Sequence, residues 1–356
     1  MPSRNVGGHS PFTQSAHHLF KIKIMQYENT FINMLLSLKD DKGDSLYKDA
    51  DIFDFKSLPN GSPILQYTCF IYNNIFHKDE RFRIEKENFE LFLTDKGTVD
   101  AFACSQQQHK IIVINLGLLN VLEKGVKECC QNLDETIKEI LAKDNKMSNA
   151  ESLVFRFITF FVFFHELGHL IQYKNSSNEI GQKKEKYNLT NSNSYSELMH
   201  LMEIDADLFA AQNLANFIIH SWQQLPSELK STLAIDTMIA LGTASIFLLF
   251  FELNDRVWPD MYFFSFCHPH PTIRISYIVD LMNKHVANHF QSAESNHEPQ
   301  LVKTFEMASA LINTEEKNAF KGYQMQYSNS TNKIDRYIKT LSSTREKYKQ
   351  LIQNYN

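Results

Sequence analysis

The stretch from Leu153 to Gln172 reads LVFRFITFFVFFHELGHLIQ. It is apolar nearly all round, which predicts a helix buried in the core of the protein. The stretch contains His165-Glu166-Leu167-Gly168-His169, in which the two histidines stand four positions apart. On a helix this spacing puts both imidazoles on one face, one turn apart, where they can hold one small cation.

The pattern HExxH from His165 to His169 is a known signature of zinc sites. Glu166 follows the first histidine, so its carboxylate points about a quarter-turn away from the ligand face and can take a proton from water beside the metal. Such a short pattern also arises by chance, and a histidine on an apolar helix is often only a satisfied core residue. Burying two histidines and a glutamate without partners would cost several kcal/mol, so we favour a zinc site.

The composition indicates a mainly helical protein of one or two domains. The chain has 356 residues, with 28 Phe but only 11 Gly and 9 Pro, which favours helices around a sizeable core. A net charge of −5 gives no reason to expect a nucleic-acid partner. Five cysteines without CxxC spacing, and a polar N-terminal stretch, predict reduced thiols in a cytoplasmic protein.

One further stretch raises the possibility of a membrane segment. Thr237 to Phe251 contains no charged residue, but fifteen residues are short for a spanning helix and typical of a buried core helix. We therefore favour a soluble protein, with membrane association as the weaker alternative.

Alternation and turn residues predict three strands before the central helix. The predicted strands are Phe89–Leu93, Ala101–Cys104 and Ile111–Asn115, with a turn at 95–97 between the first two. They suggest a small antiparallel sheet, followed by a helix from Gly117. The predicted fold class is therefore α+β, mainly helical.

The domain organisation is predicted from shifts in composition. Residues 1–18 are expected to be a disordered tail, 19–290 the main domain, and 291–356 a C-terminal helical extension. A capping box of Ser148 and Glu151 predicts the start of the central helix, and one of Ser194 and Glu197 opens a helix that runs to about 219.

A third metal ligand is expected from the helix that begins near Glu197. A catalytic zinc usually takes three protein ligands and keeps a fourth position for water. Glu203 and Asp207 stand four positions apart and so share a face, whereas Asp205 points elsewhere. We predict that Glu203 is the third ligand and that Asp207 accepts a hydrogen bond from a ligating histidine. The alternative is an acidic stripe facing solvent, but apolar residues surround these acids.

A later segment, His268-Pro269-His270-Pro271, holds two histidines on stiff backbone. Such a histidine is suited to donate a hydrogen bond to a developing oxyanion. A structural turn is the alternative, and the sequence leaves open whether His268 or His270 would be the donor.

Taken in order, these motifs resemble the gluzincin zinc metallopeptidases of the HtpX and CAAX prenyl protease type, and the phage-exclusion peptidase Lit. The shared blocks are HExxH, then Glu-x-x-Ala-Asp at Glu203–Asp207, then His268-Pro269 with Arg274-Ile275. Upstream, Asp100–Ala103 resembles the family's Asn-Ala-Phe-Ala edge strand, with Asp in place of Asn. The resemblance covers roughly residues 100 to 280.

The resemblance implies a zincin-like core, one zinc ion per chain and the roles of individual residues. It implies His165, His169 and Glu203 as zinc ligands and Glu166 as the general base. It further implies that Asp207 and Arg274 lie behind the metal ligands and support them, and that His268 donates to the oxyanion. The implied substrate-binding edge comprises Asp100, Ala101, Phe102 and Ala103.

The expected function is zinc-dependent hydrolysis of peptide bonds in a protein or peptide substrate. The likeness to Lit implies a host-defence or toxin protease that cleaves a cytoplasmic protein. Two alternatives are a membrane-associated quality-control protease of HtpX type and a non-catalytic interaction protein braced by zinc. An intact Glu166 argues against the last, because a structural site needs no base.

Overall fold

The computed structural model of the protein describes ten segments and six single positions of the chain. The segments are 29–39, 42–53, 89–106, 109–130, 150–175, 196–225, 232–254, 256–266, 268–289 and 314–344, and the single positions are 62, 64, 71, 227, 230 and 309. The helices are α1 (Asn29–Ser37), α2 (Leu116–Cys130), α3 (Ala150–Asn175), α4 (Glu197–Gln223), α5 (Thr232–Leu253), α6 (Pro271–His289) and α7 (Thr314–Thr344). The strands are β1 (Phe89–Thr94), β2 (Ala101–Gln106) and β3 (His109–Asn115).

The described part of the chain is mainly helical with one small mixed sheet, so the prediction of an antiparallel sheet is wrong for one of its strands. The strand order is β1-β3-β2; β1 runs parallel to β3 and β2 runs antiparallel to it. Every side chain from Ile111 to Ile114 is fully buried, so β3 takes the central position. Residues 95–100 carry the chain past β3 instead of forming a hairpin between β1 and β2.

Both faces of the sheet are covered, as the two-residue period of its strands allows. Val113 packs on one face with Phe31 and Leu35 of α1. Ile112 and Ile114 face the other way, into the main core that contains α2 and α3. The sheet is therefore a middle layer, and α3 packs against β2 and β3.

The predicted central helix is observed as α3, and it packs against α2, α4 and α5. Phe157, Phe161 and Phe163 are at most 1% exposed. Burial of a phenylalanine side chain contributes about 1.5–3 kcal/mol, so the Phe-rich stretch stabilises the centre of the fold. Its C-terminal half carries the histidines within this packed environment.

Within the part of the chain that the structure describes, two helices are long and apolar enough to cross a membrane. They comprise Glu151–Gln172 in α3 and Ala234–Leu253 in α5, and 83% and 94% of their most apolar windows are buried inside the protein. A core helix passes the same test of length and composition.

Helix α7 joins the same core as the elements before it. Its Phe320 and Tyr323 are fully buried in the main hydrophobic cluster, and the helix packs against α6 and α4. It spans Thr314–Thr344 and so lies within the predicted C-terminal helical extension, 291–356. The predicted tail at 1–18 lies outside the described residues.

The predicted cap of α4 is misplaced. The observed N-cap is Ser196, whose Oγ accepts the backbone N–H of Met199 at 3.4 Å, whereas Ser194 lies outside the described residues. The helix continues to Gln223, one turn beyond the predicted end. Ser148, the predicted cap of α3, also lies outside the described residues.

Candidate metal centre

Helices α3 and α4 bring the three predicted metal ligands to one point. The Nε2 atoms of His165 and His169 lie 3.1 Å apart. The Glu203 carboxylate reaches both, with Oε2 at 3.4 Å from His165 Nε2 and Oε1 at 3.3 Å from His169 Nε2. One donor atom from each residue lies within 4.8 Å of the others. Among the described residues, this group is the one that could hold a metal ion.

A glycine inside the HExxH motif allows the two helices to approach closely. A Cβ added at Gly168 would lie 3.0 Å from the Cα and 3.3 Å from the Cβ of Ala206. The absence of a side chain at Gly168 and the small one at Ala206 therefore set the separation of α3 and α4. Ala206 lies between Glu203 and Asp207, so the contact brings both carboxylates to the histidines.

The outer nitrogens of both histidines face acceptors. His165 Nδ1 lies 2.9 Å from Asp207 Oδ1, and His169 Nδ1 lies 2.9 Å from Gln172 Oε1. Gln172 is oriented in turn, because its Nε2 donates to the Met202 carbonyl at 2.8 Å. Protons on the two Nδ1 atoms leave both Nε2 atoms as lone-pair donors aimed at Glu203, which is the arrangement of metal-ligating histidines.

Asp207 is fully buried and accepts several bonds besides its contact with His165. Arg274 donates to both its oxygens, from Nε and Nη2, each at 2.7 Å. The Tyr277 hydroxyl donates to Oδ2 at 2.5 Å. Burial raises the pKa of Asp207, but the Arg274 charge and the hydrogen bonds lower it further, to about 2. Asp207 is therefore a carboxylate that can support His165.

The charges at the ligand cluster suit a cation. Burial raises the pKa of Glu203, but the neighbouring histidines, His268 and His169 first, bring it well below its usual value. Burial lowers the pKa of His165, but Asp207 and Glu203 raise it to about 9. The cluster thus holds two buried carboxylates against one guanidinium, Arg274, and without a metal it retains a proton on His165. A divalent ion would replace that proton, so the donor set fits a metal.

The two histidines of the His-Pro segment have separate places. His268 lines the cleft, with Nε2 at 3.6 Å from Glu203 Oε1 and a side chain that is 49% exposed. His270 is fully buried and caps α6, because its Nδ1 accepts the Thr272 N–H at 3.0 Å and its Nε2 lies 3.3 Å from the Pro259 carbonyl. The geometry favours His268 as the residue that can meet a ligand.

A cleft of about 990 Å³ opens in front of the ligand cluster. Glu166, 7% exposed, lines it together with the three ligand residues. Residues of β2 and Asp100 just before it also line the cleft, so all four predicted substrate-binding residues do. These four are Asp100, which is exposed, Ala101, Phe102 and Ala103. The structure thus brings every predicted site residue to one cleft or to the layer directly behind it.

Two residues of the site were missed by sequence reasoning. Gln172 follows His169 by three positions, and Tyr277 follows Arg274 by three, so each lies one turn from a residue that was predicted. That spacing is the available signal, but a glutamine or tyrosine on a helix has no particular chemistry without its partner. Their roles depend on the contacts with His169 and Asp207.

Comparison of the chain with protein families, with curated proteins and with solved structures found no match. The likeness to gluzincins therefore rests on the motifs themselves and on the residues that the fold assembles around them.

Proposed function

We propose that this protein is a zinc-dependent endopeptidase of gluzincin type. The observation that carries the proposal is the orientation of His165 and His169, whose Nε2 atoms converge on Glu203 while their Nδ1 atoms face Asp207 and Gln172. Two imidazole nitrogens and one carboxylate oxygen are the donor set of catalytic zinc sites that keep an open position. Magnesium and calcium prefer oxygen ligands throughout.

Glu166 is the proposed general base. A bound zinc ion supplies Lewis acidity, which makes water a better nucleophile near neutral pH and polarises a peptide carbonyl. Glu166 lines the cleft together with the ligand residues, where its carboxylate would accept a proton from the attacking water and later deliver it to the leaving amine.

His268 is the proposed oxyanion donor. Its Nε2 lies 3.6 Å from a Glu203 oxygen, so the imidazole stands over the ligand cluster, and its exposed half faces the cleft. A hydrogen-bond donor held at that position can bind the carbonyl oxygen that becomes negative when a peptide bond is attacked. Arg274, behind the cluster, holds Asp207 and lies 3.5 Å from Glu203.

The edge of β2 that faces away from β3, which pairs with no strand among the described residues, is the proposed binding site for an extended polypeptide. The Asn115 N–H donates to the Asp100 carbonyl at 3.1 Å. Continuing that antiparallel register, Phe102 and Cys104 bond to β3, whereas the backbone groups of Ala101 and Ala103 point to the free edge. A substrate added there as a strand would be held mainly by main-chain hydrogen bonds. This proposed mode of binding is an argument for a protein or peptide as the substrate.

The proposed biological setting rests on the likeness to Lit. We propose a host-defence or toxin protease that acts in the cytoplasm on one protein. The membrane-associated alternative would place α3 and α5 in lipid, and the burial of both helices against other parts of the protein does not favour it.

The decisive test replaces Glu166 by Gln. We expect wild type and variant to bind one zinc per chain by elemental analysis, because the ligands are unchanged. Cleavage of a fluorescence-quenched peptide library is expected to fall by about 100- to 10,000-fold when the base is lost. Glu123→Gln makes the same change in a surface pair with Lys127 on α2 and should cleave like wild type.

Three results would contradict parts of this assignment. Turnover in Glu166→Gln at the wild-type level would remove Glu166 as the base. A wild-type protein without bound zinc would overturn the metal site. Zinc binding without cleavage of any peptide by the wild type would favour the non-catalytic, zinc-braced alternative. For an active enzyme, comparing the proteomes of cells that express wild type and Glu166→Gln would identify the target.

A further inference from the structure

Helix α7 contacts a segment of the cleft that carries His268. This segment, called the rim loop, comprises residues 256–266 and 268–270 between α5 and α6. Pro259, Tyr262, Phe266 and His268 of the loop line the cleft. The loop has no helix or strand of its own, so its conformation depends on side-chain contacts with the elements around it. Two polar side chains of α7, Gln326 and Tyr337, hold the loop directly or through His200, and α7 lies outside the region of the gluzincin resemblance.

The first contact is Gln326, which bonds to the start of the rim loop and to Thr272 just beyond its end. Its Oε1 accepts the Trp258 indole N–H at 3.1 Å and the Thr272 hydroxyl at 2.9 Å. Its Nε2 donates to the Pro259 carbonyl at 2.9 Å. Trp258 and Pro259 lie near the start of the loop, and Thr272 follows its end. One amide side chain therefore closes the loop at its base.

The second contact is Tyr337, which acts through His200 of α4. His200 is fully buried, and its Nε2 lies 2.7 Å from the Phe266 carbonyl. Because a carbonyl can only accept, Nε2 carries the proton, and Nδ1 must accept from the Tyr337 hydroxyl. The chain of donors runs from Tyr337 through His200 to Phe266, two residues before His268.

Aromatic packing reinforces the second contact. The rings of Phe263 and Phe264 lie with their centroids 5.8 and 5.2 Å from that of Tyr337. His200 also stands three residues before the ligand Glu203 on α4. His200, which anchors the rim loop, and the proposed ligand Glu203 therefore lie on the same helix. This shared helix fixes the position of His268 relative to the ligand cluster.

We propose that Gln326 and Tyr337 are positioning residues, which hold the rim loop so that His268 stays over the metal cluster. This role deepens the proposed peptidase function and rests on it, because His268 contributes to catalysis only where a peptide carbonyl is attacked. The hydrogen bonds of the two residues described above go to the rim loop, to Thr272 and to His200. Their loss should therefore spare zinc binding and lower turnover through His268.

The first arm of the test measures the rim loop itself, in the full chain loaded with zinc. Tyr337→Phe and Gln326→Leu are expected to speed amide hydrogen exchange in residues 256–270 by about fivefold, the effect of losing one net hydrogen bond. Trp258 should become more accessible to acrylamide quenching in a Trp222→Phe background, where it is the remaining tryptophan. Met325→Gln, at a neighbouring residue that is 63% exposed, is the matched control and should change neither quantity.

The second arm measures peptide cleavage in a double-mutant cycle with His268→Gln. Alone, Tyr337→Phe should lower kcat about tenfold with KM nearly unchanged, because an oxyanion donor acts in the transition state. In the His268→Gln background the same change should lower kcat no further. Additive losses would overturn the proposal, since Tyr337 would then act independently of His268.

The two arms separate this proposal from the proposed function. Unchanged exchange in residues 256–270 of both variants would overturn the anchoring, whether or not the protein cleaves peptides. If the enzyme is active and the variants show faster amide hydrogen exchange in residues 256–270 but a wild-type kcat, the positioning role is overturned. A wild type that cleaves nothing would contradict the peptidase function and with it the catalytic part of this inference, while the exchange measurement would still decide the anchoring.

Discussion

Asp207 makes polar contacts with three residues of the site. It lies 2.9 Å from His165 Nδ1, takes two bonds from Arg274 and one from Tyr277, and is fully buried. A buried carboxylate of this kind is stable only while its partners stay in place. The same contacts orient His165, so one side chain links the stability of the fold to the affinity for metal.

Replacing Asp207 by Asn is expected to weaken both properties. Loss of the charge removes the nearest counter-ion of the buried Arg274 guanidinium and leaves it with the more distant Glu203 at 3.5 Å, which should lower the free energy of unfolding by about 3 kcal/mol. It also removes the support of His165, which should weaken zinc binding by about 10- to 100-fold. Urea denaturation and competition with a chelator measure the two effects.

Tyr277→Phe serves as the graded comparison for that prediction. It removes one bond to Asp207 and leaves the Arg274 pair intact, so the expected cost in stability is about 1 kcal/mol. Equal effects of the two substitutions would argue that the charge of Asp207 is unimportant.

His270 gives the protein a predictable sensitivity to acid. Burial lowers its pKa to about 4, and its contacts with the Pro259 carbonyl and Asp260 only partly offset this. The folded state thus binds the proton less tightly than the unfolded chain, whose histidine pKa is about 6.5. The contribution to stability is complete above pH 6.5 and is lost as the pH falls toward 4, by up to about 3 kcal/mol.

The variant His270→Asn tests that contribution. Asparagine can still cap α6 but does not titrate in this range. The loss of stability between pH 6.5 and 4, measured by urea denaturation, should therefore be smaller in the variant than in wild type. Parallel curves for the two proteins would show that His270 is not the group responsible.

At the level of elements, the contact between α3 and α4 decides whether the ligands meet. Gly168 allows the approach to Ala206, and a methyl group at that position would lie at 3.0 Å from backbone that cannot move aside alone. The helices would have to separate by a few tenths of an ångström. The distances from Glu203 to His165 and His169 would grow with them.

We therefore predict that Gly168→Ala destabilises the protein and weakens the metal site. Overpacking of this kind costs about 1–3 kcal/mol, and zinc affinity, measured by chelator competition, should fall with it. Gly322→Ala in α7 is the matched control, because nothing lies within 4 Å of its added Cβ. The control should gain up to about 1 kcal/mol from better helix propensity. Unchanged zinc affinity in Gly168→Ala would mean that the helix separation does not limit the site.

The sequence predicted the positions of these elements better than their arrangement. Local apolar patterns depend only on neighbours in the chain. They were enough to predict the strands that begin near Phe89, Ala101 and Ile111 and the long helix that contains His165. The parallel pairing of β1 with β3 depends on which strand is most deeply buried, and alternation alone does not report that. The misplaced cap of α4 has a local cause, since Ser194 and Ser196 offer the same side chain.

For the molecule as a whole, a metal at the three ligands would connect the two central helices. Zinc that binds only the folded state should stabilise it by about 4 kcal/mol at a concentration 1,000-fold above the Kd. We expect a chelator to lower the Tm of the wild type by several degrees in scanning calorimetry. In Glu203→Ala the shift should disappear, because the third ligand is gone. A chelator-insensitive Tm in zinc-loaded wild type would contradict a site that bridges α3 and α4.

The candidate site was predictable where residue types carry chemistry at a fixed spacing. Residues four positions apart lie on one face of a helix. This spacing made it possible to predict the pair His165 and His169 on α3 and the pair Glu203 and Asp207 on α4. Gln326 and Tyr337 could not be predicted, because they lie far along the chain and meet the rim loop only once α7 has packed. The choice between His268 and His270 likewise needed the capping contact with Thr272.

The order of the helices along the chain has a consequence for synthesis. Helix α3 is complete at Asn175, but its partners α4 and α5 end at Gln223 and Leu253. At a translation rate of about 5–20 residues per second, the Phe-rich surface of α3 waits roughly 4–16 s for them. During that interval the nascent chain displays a helix with the physical character of a membrane segment, so shielding by chaperones at the ribosome should determine how much of the protein reaches its native state.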